Sequence, residues 1–268
     1  ASMWLLKNAI DSKKKVLWIA HRQMLLDQAA ESFQKYAYTE VIPHISSFRF
    51  RIVSGASIHD RSININPKDN LLIASKDSIG RNLGSLDKWL KGESEVYLII
   101  DEAHHSTAKT YRKVIDYVKS KVKNVKLIGL TATPFRTAED EQGLLAKIYS
   151  DGVKDGKVVH NDIGITYQIG LKELINRQIL SKPIFESYYS DEEYGISMCV
   201  DELESIQHLD ILPEDIAQQM VDSAGRNKLI VETYMKKQSE YGQTIVFAIN
   251  VVHAIQLSAL FNKAGIKA

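Results

Sequence analysis

Residues 95–104 read EVYLIIDEAH and residues 124–133 read NVKLIGLTAT. In each segment a mainly apolar run, broken in the second only by Lys126, stops abruptly at polar residues. A strand with one face in water alternates apolar and polar side chains, whereas a strand covered on both faces, as in a parallel sheet flanked by helices, reads as an unbroken apolar run. The two segments therefore predict parallel strands of an α/β fold. Ligands of open parallel sheets bind beyond the carboxyl ends of the strands. Here those ends carry Asp101, Glu102 and His104 on one segment and Thr131 and Thr133 on the other.

The same pattern extends outward. Residues 16–20 (VLWIA) and 71–74 (LLIA) predict two further buried strands, and residues 49–53 a weaker one ending in Ser54 and Gly55. Between them, residues 23–36 place Leu25, Leu26, Ala29, Ala30 and Phe33 at helical spacing, and residues 110–122 do the same with Tyr111, Val114, Ile115, Val118 and Val122. Strands alternating with helices point to one sheet with helices on both faces. Beyond it we expect a short strand over 165–169, a helix over 171–179 and a lobe boundary near Pro183, because the residue before a proline is biased away from the helix. Residues 185–189 are expected to open a second sheet. A helix after Gly225 through Tyr234, a strand over 244–249 (TIVFAI) and a helix over 251–263 ended by Gly265 are expected to follow. The expected organisation is a first lobe over 1–182, an acidic connector over 183–225 and the start of a second lobe over 226–268.

Charge divides the 268 residues unevenly. The formal net charge is +1, yet residues 183–225 hold eleven carboxylates and no lysine or arginine. Removing those eleven from the 33 acidic residues leaves 22 against 34 basic ones, a balance of +12 over the rest of the chain. That balance permits a polyanionic partner, and it equally fits lysines scattered over solvated helix faces. A single cysteine, Cys199, excludes a disulfide framework or a multi-cysteine zinc site and fits a reducing compartment. No run reaches the roughly 18 apolar residues of a membrane span, and the expected location is the cytoplasm.

Adjacent carboxylates after a buried strand suit Mg²⁺-assisted phosphate chemistry: one holds the hydrated metal, and its neighbour activates a water. Taken alone, an acidic pair at a strand end is more often a solvated turn or a cap. The ordered set is more specific. Asp101-Glu102-Ala103-His104 resembles motif II (Walker B) of superfamily 2 DEAD/DEAH-box helicases and translocases, and residues 131–136 (TATPFR) resemble their motif III. The segment from 16 to 29, with His21 and Arg22 at its turn, resembles motif Ia, and residues 244–250 resemble motif IV of a second RecA-like lobe. The likeness is greatest to restriction-system motor subunits and Rad25-like repair helicases.

The resemblance implies RecA-like lobes, ATP and Mg²⁺ as cofactors and a nucleic-acid partner, DNA favoured over RNA. Nuclease or specificity domains or subunits would belong to the full system. It implies that Asp101 binds Mg²⁺ through its water shell, that Glu102 is the general base, that His104 couples the nucleotide to motif III, and that Thr131 and Thr133 link hydrolysis to movement. His21, Arg22, Ser54, Gly55, Ser75 and Asn250 would contact the nucleic-acid strand. Simpler roles stand beside these. Arg22 also fits a surface ion pair and Asn250 a helix N-cap, while His105 reads as a surface residue, Trp18 and Trp89 as packing, and Lys13, Lys14 and Lys15 as a solvated loop.

The family's Gly-Lys-Ser/Thr phosphate loop has no counterpart in these residues; Gly156-Lys157-Val158 comes nearest. The sequence therefore reads as an internal piece of a motor, without the phosphate loop and the arginine finger, and inactive by itself. A slot in the middle of the sheet is expected where the phosphate-loop strand would lie. Two alternatives remain at this point: a non-catalytic nucleic-acid-binding module with a helicase-like fold, and an Mg²⁺-dependent phosphatase or nuclease using Asp101 and Glu102.

Overall fold

The computed structural model describes residues 1–133, 145, 147–149, 151–154, 157–160, 165–190 and 214–268. It divides into two compact units, Ala1–Gln168 and Ile169–Ala268. The first is built on strands β1 (Lys15–Ala20), β2 (Phe50–Val53), β3 (Leu71–Ser75), β4 (Glu95–Asp101) and β5 (Asn124–Leu130). They form an all-parallel sheet in the order β2-β3-β1-β4-β5. All five expected strands are present. β1 pairs directly with both β3 and β4, so the expected slot is absent. The open edges of the sheet are β2 and β5, and β5 is only half-buried along its length.

The faces follow from alternation along the strands. Val16, Trp18, Ala20, Leu71, Ile73 and Ile99 pack against Leu5, Leu6, Ala9 and Ile10 and against helix α2 (Gln23–Tyr36), which contributes Leu26, Ala29, Ala30 and Phe33. The chain before β1 forms helix α1 (Ser2–Leu5), which passes into one turn of π-helix over Leu6–Ile10. On the opposite face Leu17, Ile19, Leu72, Ala74, Leu98 and Ile100 meet α3 (Lys76–Arg81), α4 (Asp87–Leu90) and α5 (Lys109–Lys121). Each fully buried aliphatic side chain contributes roughly 1.5–3 kcal/mol. Two-sided burial is thus both the reason for the unbroken apolar runs and the main source of stability.

A buried polar network is satisfied within this unit. Trp89 is fully buried, as its packing role requires, and its indole N–H donates to the Asp69 carbonyl at 2.7 Å. The Asp69 carboxylate is inaccessible to solvent and accepts from Arg51 Nε at 2.7 Å and from the Asn66 N–H at 2.9 Å. Arg51 also reaches Asp60 at 2.5 Å. Lys15 is not the loop residue its neighbours suggested: it opens β1, donates to the Trp89 carbonyl and pairs with Glu93 at 2.9 Å.

The second unit contains helices α6 (Leu171–Asn176), α7 (Glu214–Asp222), α8 (Ala224–Tyr241) and α9 (Val251–Lys263). Helix α8 runs a further two turns beyond Tyr234 and stops at Gly242, whose φ of 58° ends the helix without a side-chain penalty. The expected strands over 165–169, 185–189 and 244–249 are not formed. These segments are extended or irregular, without strand structure among the described residues. A strand gains its hydrogen bonds only from a neighbour, so Ile245 and Phe247 are left exposed. Most of the acidic connector, with Cys199, lies outside the described residues, as do Pro134, Phe135 and Arg136.

Replacing Asp69 with Ala should strand the Asn66 N–H and half of the Arg51 pairing in a solvent-free site. Urea unfolding of this unit should show a loss of about 3 kcal/mol or more; a change under 1 kcal/mol would show that the network is not stabilising.

Candidate functional site at the strand ends

Parallel pairing sets the carboxyl ends of the strands on one edge. Ala20 lies opposite Ser75, Val53 opposite Ala74, Ile19 opposite Ile100, and Asp101 opposite Leu130. The residues that follow these positions therefore share one rim of the sheet.

After β4 the chain turns sharply. Glu102 occupies the left-handed region (φ 51°, ψ 54°), which costs a non-glycine residue about 1 kcal/mol or more. The turn leads into a short 3₁₀ helix (Ala103–Thr107) that folds back beside β5. Gly129 permits this approach, since a Cβ there would come within 2.7 Å of the Ala103 Cβ and 2.8 Å of the Tyr149 ring. Tyr149 holds the same loop by a 2.7 Å hydrogen bond with Ser106, and burial pushes its phenol up to about 12.

The turn brings His104 onto the end of β5. Its Nδ1 lies 2.9 Å from Thr131 Oγ1, 3.4 Å from Thr133 Oγ1 and 3.3 Å from Glu102 Oε2. The Thr133 N–H donates to Thr131 Oγ1 at 3.0 Å. One ring nitrogen thus connects the acidic loop of β4 to the threonine loop of β5. Asp101 sits half-buried behind it and accepts the Glu102 N–H at 3.0 Å. Burial pushes the Asp101 carboxyl above its ordinary value; the Glu102 N–H opposes the shift and the Glu102 charge adds to it.

A second contact joins the loop after β1. His21 meets the His105 ring edge-on at 4.8 Å between centroids, and His105 lies 4.2 Å from His104. His105 is therefore half-buried and packed into the histidine cluster, which nothing in a His-His dipeptide could have revealed. Burial, then the Arg22 charge, lowers the His21 pKa, which keeps its ring neutral near pH 7; its Nδ1 is buried without a hydrogen-bond partner.

The remaining sequence-predicted residues differ in what they offer. Arg22 and Gly55 are exposed. Ser75 is mostly buried and caps α3 by accepting the Ser78 N–H at 3.2 Å. Ser54 is buried and bonded to His59 at 2.7 Å. Asn250 lies in the second unit, where its side chain accepts the His253 N–H at 2.8 Å as the N-cap of α9. A cavity of about 580 Å³ in that unit, lined by Arg226, Tyr234, Tyr241 and Phe261 among others, contains none of the expected site residues.

Residues 1–136, just over half of the chain, match the family described as type III restriction enzyme, res subunit. The chain belongs to that family. It is 26% identical over 256 residues to the Saccharomyces cerevisiae protein named "Putative ATP-dependent helicase IRC3", an alignment covering 94% of this chain and 31% of the yeast protein. It is 30% identical over 140 residues to the ATP-dependent DNA helicase MPH1 of Pyricularia oryzae, covering 52% of this chain and 11% of that one. The chain therefore spans about a third or less of these two relatives. The Hef helicase domain of Pyrococcus furiosus aligns over 94% of this chain and 44% of its own, with 18% identity and a TM-score of 0.40.

Among the described residues, no group of three or more histidine, cysteine or acidic side chains is arranged to hold a metal directly, and no helix is long and apolar enough to cross a membrane. A hydrated Mg²⁺ needs less, since it keeps most of its waters and is held by one or two carboxylates; Asp101, half-buried at a strand end, suits that role.

An Asp101 pKa raised in the folded state means that stability falls as pH rises above the ordinary carboxyl value of 3.8, because the unfolded chain then releases its proton more readily. At neutral pH the folded protein holds a disfavoured charge. Asp101→Asn should therefore raise the melting temperature at pH 7 and have little effect near pH 3; an unchanged or lower Tm at pH 7 would contradict the burial argument.

Proposed function

We propose that this res-family chain supplies the hydrolysis and strand-binding residues of an ATP-dependent nucleic-acid helicase or translocase, with DNA as the favoured track. The observation that carries this reading is the His104 contact joining Glu102 to Thr131 and Thr133. Such a bridge lets a change at a nucleotide move the threonine loop. In this reading Asp101 would hold a hydrated Mg²⁺ through its waters, and the metal would supply charge neutralisation at the phosphates. Glu102, exposed over about a third of its side chain, accepts the proton of the attacking water. His104 transmits the state of Glu102 to Thr131. Arg22 and Gly55 face the nucleic-acid backbone, where sequence-independent contacts suit a protein that moves along any sequence.

The names of the relatives support ATP and DNA as the substrates, and the +12 balance outside the acidic connector supports a polyanionic partner. We read residues 1–182 as the first lobe, 183–225 as the connector and 226–268 as the opening of a second lobe, in which the exposed Ile245 and Phe247 belong to a strand that pairs elsewhere. Nuclease or specificity modules fit the same reading as partners.

Two measurements test it. The 268-residue chain should bind a duplex oligonucleotide with an affinity that falls steeply with salt, and Arg22→Ala should reduce the slope of log Kd against log salt by about one. Binding that does not respond to salt would count against the reading. Because no Gly-Lys-Ser/Thr loop lies within these residues, the chain by itself should show little ATP turnover with or without DNA. DNA-stimulated turnover that Glu102→Gln abolishes would overturn that expectation.

A further inference from the structure

The loop that follows β2 is held by a hydrogen-bond relay that starts on a different element. Asp27, on α2, lies with Oδ1 2.9 Å from His59 Nε2. His59 Nδ1 lies 2.7 Å from Ser54 Oγ, and Ser54 Oγ accepts the Ala56 N–H at 3.0 Å. The His59 side chain is only 4% exposed and Ser54 is 4% exposed, whereas Asp27 is 44% exposed. The directions of the bonds follow from the end of the chain. A carboxylate only accepts, so His59 Nε2 carries a proton and donates to Asp27, which leaves Nδ1 facing the Ser54 hydroxyl. The Ser54 oxygen is left to accept from Ala56.

Aspartate, histidine and serine in a row suggest a nucleophile, but the environment argues otherwise. The hydroxyl is buried, and its oxygen is occupied by the Ala56 N–H. The row ends on the backbone, at the Ala56 N–H. The residue that it fixes, Gly55, is exposed, has open space where a Cβ would stand, and makes no hydrogen bond through its N–H among the described residues. The loop is also pinned from its far side, where Ser54 N–H donates to the Asp60 carbonyl and Asp60 N–H to the Ile52 carbonyl.

We propose that Asp27, His59 and Ser54 are positioning residues that hold the Gly55 N–H outward to meet a phosphate of the nucleic-acid backbone, so that Ser54 acts through the loop and not by direct contact. This rests on the nucleic-acid reading above. It also ties α2, which begins beside Arg22, to the β2 loop, so that two strand contacts move as one rigid piece.

The sign of one substitution separates this relay from plain electrostatics. Asp27→Ala removes a negative charge from a face that binds a polyanion, which by charge alone should tighten binding. The relay predicts the opposite: about tenfold weaker binding of a fluorescent duplex oligonucleotide, as expected for a backbone contact that is no longer held in place. Asp27→Asn removes the same charge but keeps an acceptor for His59, and should bind at least as tightly as the parent. His59→Ala should weaken binding as Asp27→Ala does, and Ser54→Ala should add little to it. In amide NMR the Gly55 signal should respond to oligonucleotide in the parent and in Asp27→Asn but not in Asp27→Ala, while Arg22 responds in all three. Should His59→Ala fail to fold, the half-exposed Asp27 pair carries the test. Equal or tighter binding by Asp27→Ala overturns the relay while leaving the nucleic-acid reading intact. Absence of any binding by the parent overturns both.

Discussion

The register between β4 and β5 is the constraint on which the rest of the site depends. With Asp101 opposite Leu130, the two chains leave the sheet at the same level, so the acidic turn and the threonine turn begin side by side. The left-handed Glu102 then directs the 3₁₀ helix toward β5, and Gly129 leaves room for Ala103 against it. A slip of one residue would turn every β5 side chain to the other face, exchanging the sides of the half-buried Leu127 and Ile128 and removing Thr131 from His104. The two-sided core thus fixes the functional contact as well as the stability.

The rim of the sheet carries costs that its core does not. Glu102 holds an unfavourable backbone conformation, the Asp101 carboxyl is half-buried, and His21 keeps a buried nitrogen without a partner. Local unfavourable features of this kind collect at sites that act on ligands, and well-packed surroundings sustain them. Here the surroundings are β1, β3 and β4, whose buried residues are almost entirely inaccessible to solvent. By contrast, the polar network around Asp69 satisfies its donors internally, as expected where no ligand is to be met.

The sheet was legible because its signal is strong: mainly apolar runs mark four strands within about a residue of their ends, the weaker 49–53 segment marks β2, and helix α2 spans the residues its spacing indicates. The threonine and histidine contact was legible only through the ordered motifs, since no periodicity reports which strand ends adjoin. His105, His59 and Asp27 could not be read. Each lies on a loop or an ordinary helix face, and its partner is brought to it by tertiary pairing. The strand expected over 244–249 shows the opposite error: its composition is that of a strand, but pairing requires a neighbour that the described residues do not provide. The mid-sheet slot was misplaced for a related reason. Strand order is a long-range property, and the structure puts β1 between β3 and β4 and leaves the open edge at β5.

On the function proposed above, nucleic acid meets the carboxyl rim of this sheet. Amide chemical-shift mapping of the 268-residue chain, titrated with a short duplex at low salt, tests it most directly. The largest changes should fall on Arg22, Gly55, Ala56 and the turns that carry His104, His105, Thr131 and Thr133. Changes confined to the amino ends of the strands, around Lys15, Asn70 and Glu95, or spread evenly over exposed lysines, would contradict it.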